Sequence, residues 1–470
     1  MSNIGCILYP PTLDYYYLVQ RPQQLMKSFS ELDVPAYYIN NPSPQSGVQS
    51  GIERLNENFY LFNNVDPGPF LQNINPVVYY TSAAQTDSLS KYNPALVVFD
   101  SVDEPSEEFK GWAPYYHKAL SNADVVLTTS DKLFNVASQV NPHTFLVPNG
   151  CDYDHFSNRI YGPPVDIANL PRPIIGYIGV VATWVDLNLI VKVADQYPDY
   201  SIVVVGPLYN VTDVPQRPNI HWLGFRDYEV LPAYAQNFDV GIIPFRVSSM
   251  IEAVNPIKMW EYMATGMPIV TTPMPEVRKF DDVVLVSDTD EEFVLNISRA
   301  VYGDTEDNRN KRIVLARENS WRVRAQLVIE IIAERLAQKG ISGSAAIPDI
   351  ADVEAISYPT GIVTGIATSH RYGITIGSSS CSSSRIISSR TSGYCSRSFV
   401  TCRSINAGRK TSLRLSRRKS RRPLRPRRDP RRDRRKIIAP KVTKPNVSRH
   451  TKIKVVGGPA LKVYTERCVL

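Results

Sequence analysis

Short apolar runs alternate with helical stretches through the first 340 residues, and the alternation restarts once after a proline-rich break. Apolar runs this short, separated by segments of helical period, are the pattern of parallel strands covered by helices on both faces. In the first half the runs are Ile4–Tyr9, Ala36–Ile39, Val77–Tyr80, Leu96–Phe99, Val125–Leu127 and Phe145–Val147, with helical stretches such as Arg21–Leu32 and Glu107–Asn122 between them. The break runs from Tyr161-Gly162-Pro163-Pro164 to Leu170-Pro171-Arg172-Pro173. Beyond it, Ile174–Ile178, Ile202–Val205, Ile220–Leu223, Val240–Pro244, Ile269–Thr272 and Val283–Val286 read as strands. Leu187–Gln196, Pro256–Thr265 and Glu291–Val301 read as helices, and Asn308–Gln338 as one long helical region bent near Asn319-Ser320-Trp321. The chain is therefore expected to be α/β, with domains at 1–160 and 171–318. Ligands of such sheets bind beyond the C-terminal ends of the strands, so site residues should sit at strand-to-helix junctions.

Charge divides the chain differently. The overall charge is +8, but residues 341–470 hold 28 Lys/Arg against 6 Asp/Glu, a net of +22. That leaves 25 basic and 39 acidic residues in 1–340, a net of −14. The body is an acidic globular protein. From 340 to 470 the chain is Ser-rich and then Arg-rich, a composition too charged and too poor in apolar residues to fold alone, and it is expected to be a disordered tail. Such a tail could bind nucleic acid, anionic polymer or anionic membrane by counterion release, and its composition equally fits a solvated extension, a Ser/Arg substrate for modification or the translation of a shifted reading frame. No fold signature of a specific nucleic-acid module accompanies it. The apolar run at the N-terminus has no basic flank and reads as a first strand, not a signal peptide. No apolar stretch approaches the roughly 20 residues of a membrane helix, so the expected location is cytoplasmic, peripheral at the inner face of the membrane. Cys6 and Cys151, the cysteines of the body, read as buried free thiols.

The chemistry concentrates in Asn255-Pro256-Ile257-Lys258-Met259-Trp260-Glu261. Asn255 as cap and Pro256 at the first helical position signal a helix start. Lys258 in the first turn opposes the helix dipole unless an anion is bound there, where amide N–H groups and the lysine would hold it together. A diphosphate is such an anion. Glu261 lies on the same helix face and could accept hydrogen bonds from both hydroxyls of a ribose. A plain Lys–Glu pair on a solvated face accounts for the same pattern.

Further along, Gly176-Tyr177-Ile178-Gly179, Trp184-Val185-Asp186-Leu187, Val205-Gly206-Pro207 and Pro218-Asn219-Ile220-His221-Trp222-Leu223-Gly224 occur in order. Tyr228 to Leu231-Pro232, Asp239 to Phe245, and Asn255 to Met263 follow. With Arg21-Pro22-Gln23-Gln24-Leu25, Asp100 to Asp103, Ser121 to Asp124 and Pro148-Asn149-Gly150 in the first half, this set resembles bacterial glycosyltransferases of family 4 and group 1 type. Within them it is most similar to the teichuronic acid biosynthesis transferases of Gram-positive bacteria. The resemblance covers roughly residues 3–338. It implies two facing Rossmann-like domains (GT-B type), with a last helix, 319–338, crossing back to the first domain. It also implies a nucleoside-diphosphate sugar as donor and a cell-envelope polysaccharide or lipid-linked acceptor. Relatives bracket the donor with two glutamates eight positions apart. Here the second is Glu261, and the first falls at Ala253, with Glu252 one residue out of register.

Within that frame Lys258 neutralises phosphate. A charge-assisted hydrogen bond contributes roughly 1.5–3 kcal/mol, so losing Lys258 should weaken donor use about tenfold or more. Gly179 brings backbone to the diphosphate, and Phe225 begins the loop that reads the nucleobase through backbone groups. Arg246, after the strand ending at Pro244, is a second phosphate candidate or a surface arginine. Asp100 and Asp103 follow a first-domain strand, and either could be the general base of an inverting transfer or a helix cap. Arg21 would face donor or acceptor phosphate, or pair with a carboxylate of the body. His117, His143, His155 and His221 have no metal-ligand spacing, and no Asp-x-Asp pair is present, so no cofactor and no obligatory metal are expected. The missing glutamate at Ala253 leaves open a second reading, a catalytically degenerate transferase-like protein of the cell or spore surface.

Overall fold

The computed structural model describes residues 4–43, 47–71, 74–157 and 161–341. The basic tail expected from 340 onward lies, from residue 342, outside the described residues. Eight strands form the first sheet: β1 Ile7–Tyr9, β2 Ala36–Asn40, β3 Gly51–Asn56, β4 Phe59–Asn63, β5 Val77–Tyr80, β6 Leu96–Ser101, β7 Val125–Thr128 and β8 Thr144–Leu146. Their order is β3-β4-β2-β1-β5-β6-β7-β8. Every pairing is parallel except β3 with β4. The helices α1 Arg21–Ser30, α2 Ala113–Asn122, α3 Asp131–Ser138 and α4 Tyr153–Ser157 accompany this half.

The second sheet holds β9 Ile174–Ile178, β10 Ser201–Val205, β11 Ile220–Gly224, β12 Val240–Ile243, β13 Ile269–Thr271 and β14 Leu285–Val286. Its order is β11-β10-β9-β12-β13-β14, wholly parallel. That is the doubly wound order, whose direction reverses between β9 and β12 and opens a crevice there. The helices are α5 Leu187–Gln196, α6 Leu231–Ala235, α7 Ser249–Glu252, α8 Ile257–Thr265, α9 Pro275–Arg278, α10 Asp290–Gly303, α11 Glu306–Glu318 and α12 Trp321–Gln338.

Two Rossmann-like layers are thus present. β3 and β4 are additions that the apolar periodicity passes over. Phe59-Tyr60-Leu61-Phe62 is a short buried run, and β3 is a half-exposed edge joined to it by the tight turn at Glu57-Asn58. The expected long bent helix is instead two helices. Asn319 closes α11, and the extended Ser320 starts α12 by accepting from the Val323 amide. Correspondingly, α12 packs into the core of the first domain, where Trp321, Ala325, Val328 and Ile332 join Leu25, Met26 and Phe29 of α1. Cys6 and Cys151 are buried free thiols, and burial raises the pKa of both, that of Cys6 to about 12.

Because α12 supplies core to a domain that begins some 300 residues earlier, Trp321→Ala should remove about 3–5 kcal/mol of stability. A shift of the urea midpoint measures it, and a loss under about 1 kcal/mol would mean that α12 is only loosely docked.

Candidate functional site

The crevice beyond β9 and β10 is built on two glycines. Gly179 has φ 141° and Gly206 φ 147°, a backbone region that L side chains avoid. A Cβ on Gly206 would lie 1.9 Å from the Gly179 carbonyl oxygen, so the two turns touch backbone to backbone. A Cβ on Gly179 would lie 3.0 Å from Lys258 Cε. The Gly179 turn thus lies against the lysine, and the Gly206 turn lies against Gly179.

Lys258 stands in the first turn of α8, half-buried. Its Nζ lies 4.6 Å from the centre of the Phe245 ring and 5.4 Å from that of Tyr177. Among the described residues no carboxylate or carbonyl forms a hydrogen bond or ion pair with it. Burial pushes its pKa down to about 8, and Glu261 only partly opposes this. Glu261, three residues on, is 8% exposed and likewise lacks a hydrogen-bond partner among the described residues. Burial pushes it up to about 7, against the pull of Lys258 and with a push from Asp152. Lys258 and Glu261 therefore sit one helical turn apart, neither with a hydrogen-bond partner among the described residues.

Asn255 is not the cap of α8. The helix begins at Ile257 with Pro256 as N-cap, and Asn255 is buried one residue earlier. Its Oδ1 accepts from Trp260 Nε1 at 3.0 Å, its Nδ2 donates to Glu276 Oε2 at 3.2 Å, and its carbonyl accepts from Asn149 Nδ2 at 2.6 Å. Trp260 in the helix interior draws the amide away from the capping geometry. Asn255 thus ties α8 to the first domain instead of presenting its side chain to an anion.

Arg21 and Asp100 have spent their charges on each other. Arg21 Nε and Nη2 donate to the two Asp100 oxygens at 2.6 and 3.1 Å, and the Tyr79 hydroxyl adds a third bond at 2.5 Å. Both side chains are buried, and Arg21 Nη1 also donates to the Pro148 carbonyl and Asn149 Oδ1. This geometry weighs against Asp100 as a free base, since three hydrogen bonds already fall on its carboxylate, and it gives Arg21 the second of its expected roles, a partner for a carboxylate of the body. Asp103 differs. It has no hydrogen-bond or ion-pair partner among the described residues, and burial, helped by Asp100, pushes it up to about 7.

Arg246 is exposed, its backbone N–H donating to the Trp184 carbonyl, with no partner for its guanidinium among the described residues. Phe225 is 37% exposed and stacks on Tyr17 of the first domain, 5.2 Å between ring centres. Ala253 is buried, and the neighbouring Glu252 turns to Lys132 of the first domain at 3.3 Å. It does not substitute for the absent glutamate.

Several residues that the sequence reading gave no role complete the surroundings. Glu276, buried in α9, accepts from the Asp131 amide of the first domain at 2.9 Å as well as from Asn255. Asp152 pairs with Lys27 at 2.9 Å, and Glu104 and Glu107 reach across to Ser249 and Ser248. Asn149 belongs to a quoted motif, but nothing in Pro148-Asn149-Gly150 reveals its partner. Among the described residues no cluster of three or more His, Cys, Asp or Glu is arranged to hold a metal ion, and no helix is long and apolar enough to cross a membrane.

Comparison with known proteins agrees with this geometry. Residues 172–301 match the family described as glycosyl transferases group 1. The chain is 32% identical over 174 residues to TuaH of Bacillus subtilis (strain 168), whose name assigns it to teichuronic acid biosynthesis as a glycosyltransferase. That match covers 34% of this chain and 43% of the relative, so less than half of the relative's length is spanned. The fold is shared with sucrose-phosphate synthase from Thermosynechococcus elongatus, at a TM-score of 0.54 and 14% identity over 71% of this chain and 100% of that one. It is shared too with alpha,alpha-trehalose 6-phosphate synthase from Burkholderia multivorans, at 0.54 and 10% over 72% and 100%. At such identities these structures speak for the fold alone: two facing Rossmann-like domains.

The buried charges set a pH dependence. Folded Glu261 keeps its proton from about pH 4.5 to 7 where the unfolded chain has released it, so stability falls as pH rises through that window. Folded Lys258 releases its proton early, so stability rises from about pH 8 to 10.5. In Glu261→Gln the fall between pH 4.5 and 7 should become shallower, with the remainder due to Asp103, whose carboxyl burial also raises to about 7, measured as thermal midpoint against pH. An unchanged slope would place that titration elsewhere.

Proposed function

We propose that this chain, whose residues 172–301 form a glycosyl transferase group 1 domain, takes a sugar from a nucleoside-diphosphate sugar and passes it to a polysaccharide or lipid-linked acceptor of the cell envelope. The observation that carries the reading is Lys258, which has no hydrogen-bonded or ion-paired partner among the described residues and lies against the Gly179 turn at the start of α8. A diphosphate would supply an opposite charge, hold the lysine protonated to higher pH and take the free amides of the helix start. Glu261, one turn on, is suited to the ribose, and the loop at Phe225 to the base. Arg246 is free to reach a phosphate from the same side. The phosphate charge would then be met by the chain itself, without an obligatory metal. The envelope acceptor rests on the likeness to the teichuronic acid relative.

For the chemistry we assign Asp103 as general base. A carboxylate near 7 accepts a proton at neutral pH far better than one at its ordinary value, and it has no competing donor. Asp100 would serve it indirectly, as the fixed negative neighbour that helps raise its proton affinity.

Two substitutions separate binding from chemistry. Lys258→Ala should weaken nucleoside-diphosphate binding about tenfold or more by calorimetry. Unchanged affinity would remove the donor-site assignment. Asp103→Asn should leave that affinity within about twofold and lower sugar transfer to an isolated envelope fraction by about 100-fold or more. Full transfer by Asp103→Asn would exclude it as the base.

A further inference from the structure

A cavity of about 440 Å³ opens at the far edge of the first sheet, with Tyr16, Gln49, Ile52, Glu53 and Asn63 in its wall. That volume lies within the range of small-ligand sites. Asn63 ends β4 and Asn40 ends the neighbouring β2, so the cavity lies beyond the C-terminal strand ends, where parallel sheets bind ligands. It is separate from the crevice. β2, β1 and β5 stand between β4 and β6, the strand that leads to Asp103, and four strand spacings amount to about 19 Å.

The wall is held in place from beneath. Asp14 accepts from the Tyr16 amide at 3.1 Å and from the Ser43 amide at 2.8 Å, and Asn40 Oδ1 accepts from the Tyr15 amide at 2.8 Å. The Tyr15 ring packs edge-on against Tyr38, Phe59 and Tyr16, at 5.2, 5.5 and 5.3 Å between centres. Tyr16 is thereby fixed although it is 43% exposed. Its hydroxyl donates to Glu53, and burial together with that carboxylate pushes its pKa up, so it keeps its proton. The other Glu53 oxygen and the Gln49 amide make no hydrogen bond among the described residues. Asn63 is only 4% exposed, and its Oδ1 accepts from Asn40 Nδ2 at 2.7 Å. Its own Nδ2 has no hydrogen bond among the described residues. An unused donor on a buried amide beside a cavity is a place for a ligand's oxygen.

This set matches a pyranose. One face of the sugar carries weakly positive C–H groups, suited to the negative face of the Tyr16 ring with Ile52 beside it. Its rim carries hydroxyls that both donate and accept: Glu53 accepts, Asn63 Nδ2 donates and Gln49 does either. Among the described residues of the wall no lysine or arginine offers a counter-charge, and Glu53 would repel a uronate or a phosphate. The chemistry therefore selects a neutral sugar.

We propose that this cavity binds one neutral pyranose unit of a glycan chain, apart from the crevice between the domains. Its use for a polysaccharide acceptor rests on the proposed function: a chain lying along the strand ends would be held there several sugars away from Asp103. The binding itself does not depend on that reading.

The test titrates the full chain by calorimetry with maltohexaose, cellohexaose, chitohexaose and hexagalacturonate. At least one neutral hexaose should bind, and hexagalacturonate about tenfold more weakly or not at all. Tyr16→Ala should weaken the neutral ligand about tenfold, and Gln49→Ala about threefold. Gln49 is exposed, so its variant reports on the cavity even if Tyr16→Ala unsettles the loop. Lys258→Ala, in the distant crevice, should leave glycan affinity within about twofold. No binding of any neutral hexaose, binding untouched by both cavity variants, or binding lost in Lys258→Ala would overturn the site. Glycan binding without nucleoside-diphosphate binding would keep the cavity and remove the donor reading. The reverse would keep the donor reading and leave β3 an ordinary sheet edge protected by its charges.

Discussion

The Arg21–Asp100 pair anchors everything that the site requires. Two buried charges are tolerable only with near-complete hydrogen bonding, and here the guanidinium and the Tyr79 hydroxyl together deliver it. The guanidinium nitrogen left over reaches Pro148 and Asn149, and Asn149 donates to the carbonyl of Asn255. From Asn255 the chain of bonds runs to Glu276 and ends on the Asp131 amide, back in the first domain. One continuous hydrogen-bonded path therefore crosses between the two sheets and returns. It passes directly before α8, so the register of the helix that carries Lys258 and Glu261 is set by residues of the other domain.

The contrast with the crevice is instructive. Arg21 and Asp100 are fully paired and do not face the crevice as free charges. Lys258, Glu261 and Asp103 have no hydrogen-bonded or ion-paired partner among the described residues, and desolvation moves each toward its neutral form. Unpaired burial is destabilising, and it persists where a ligand relieves it. Closure contributes as well. Lys132, Glu104 and Glu107 of the first domain meet Ser248, Ser249 and Glu252 of the second, holding the α7 segment where the absent glutamate would otherwise enter.

Much of the fold was legible because its signal is local. Ile174–Ile178, Leu187–Gln196 and Ala36–Ile39 form where apolar periodicity puts them, since burial on both faces of a parallel strand leaves a continuous apolar run. β4 escaped because a five-residue run beside a half-exposed edge carries little period, and the α11–α12 break because Asn319-Ser320 interrupts the backbone without interrupting the helical pattern. Site residues were legible only as junction positions. Lys258, Glu261 and Gly179 stand at the junctions where place and type put them, whereas Asn255 was misread as a cap because a cap and a buried amide look alike in sequence. Tyr37 and Tyr228 are two of 26 tyrosines, and nothing local marks their hydroxyls as unpartnered among the described residues.

By itself the sequence determined the class of architecture, the crevice at the strand ends and the presence of a cation and a carboxylate one turn apart. Those are consequences of spacing along one segment. Which charges are already paired depends instead on residues far apart in the chain: Arg21 with Asp100, Asn149 with Asn255, Asp131 with Glu276. Only the packed structure brings such partners within hydrogen-bonding distance. It alone decided that Asp100 is spent and Asp103 free, because a buried group's chemistry is set by its neighbours in space.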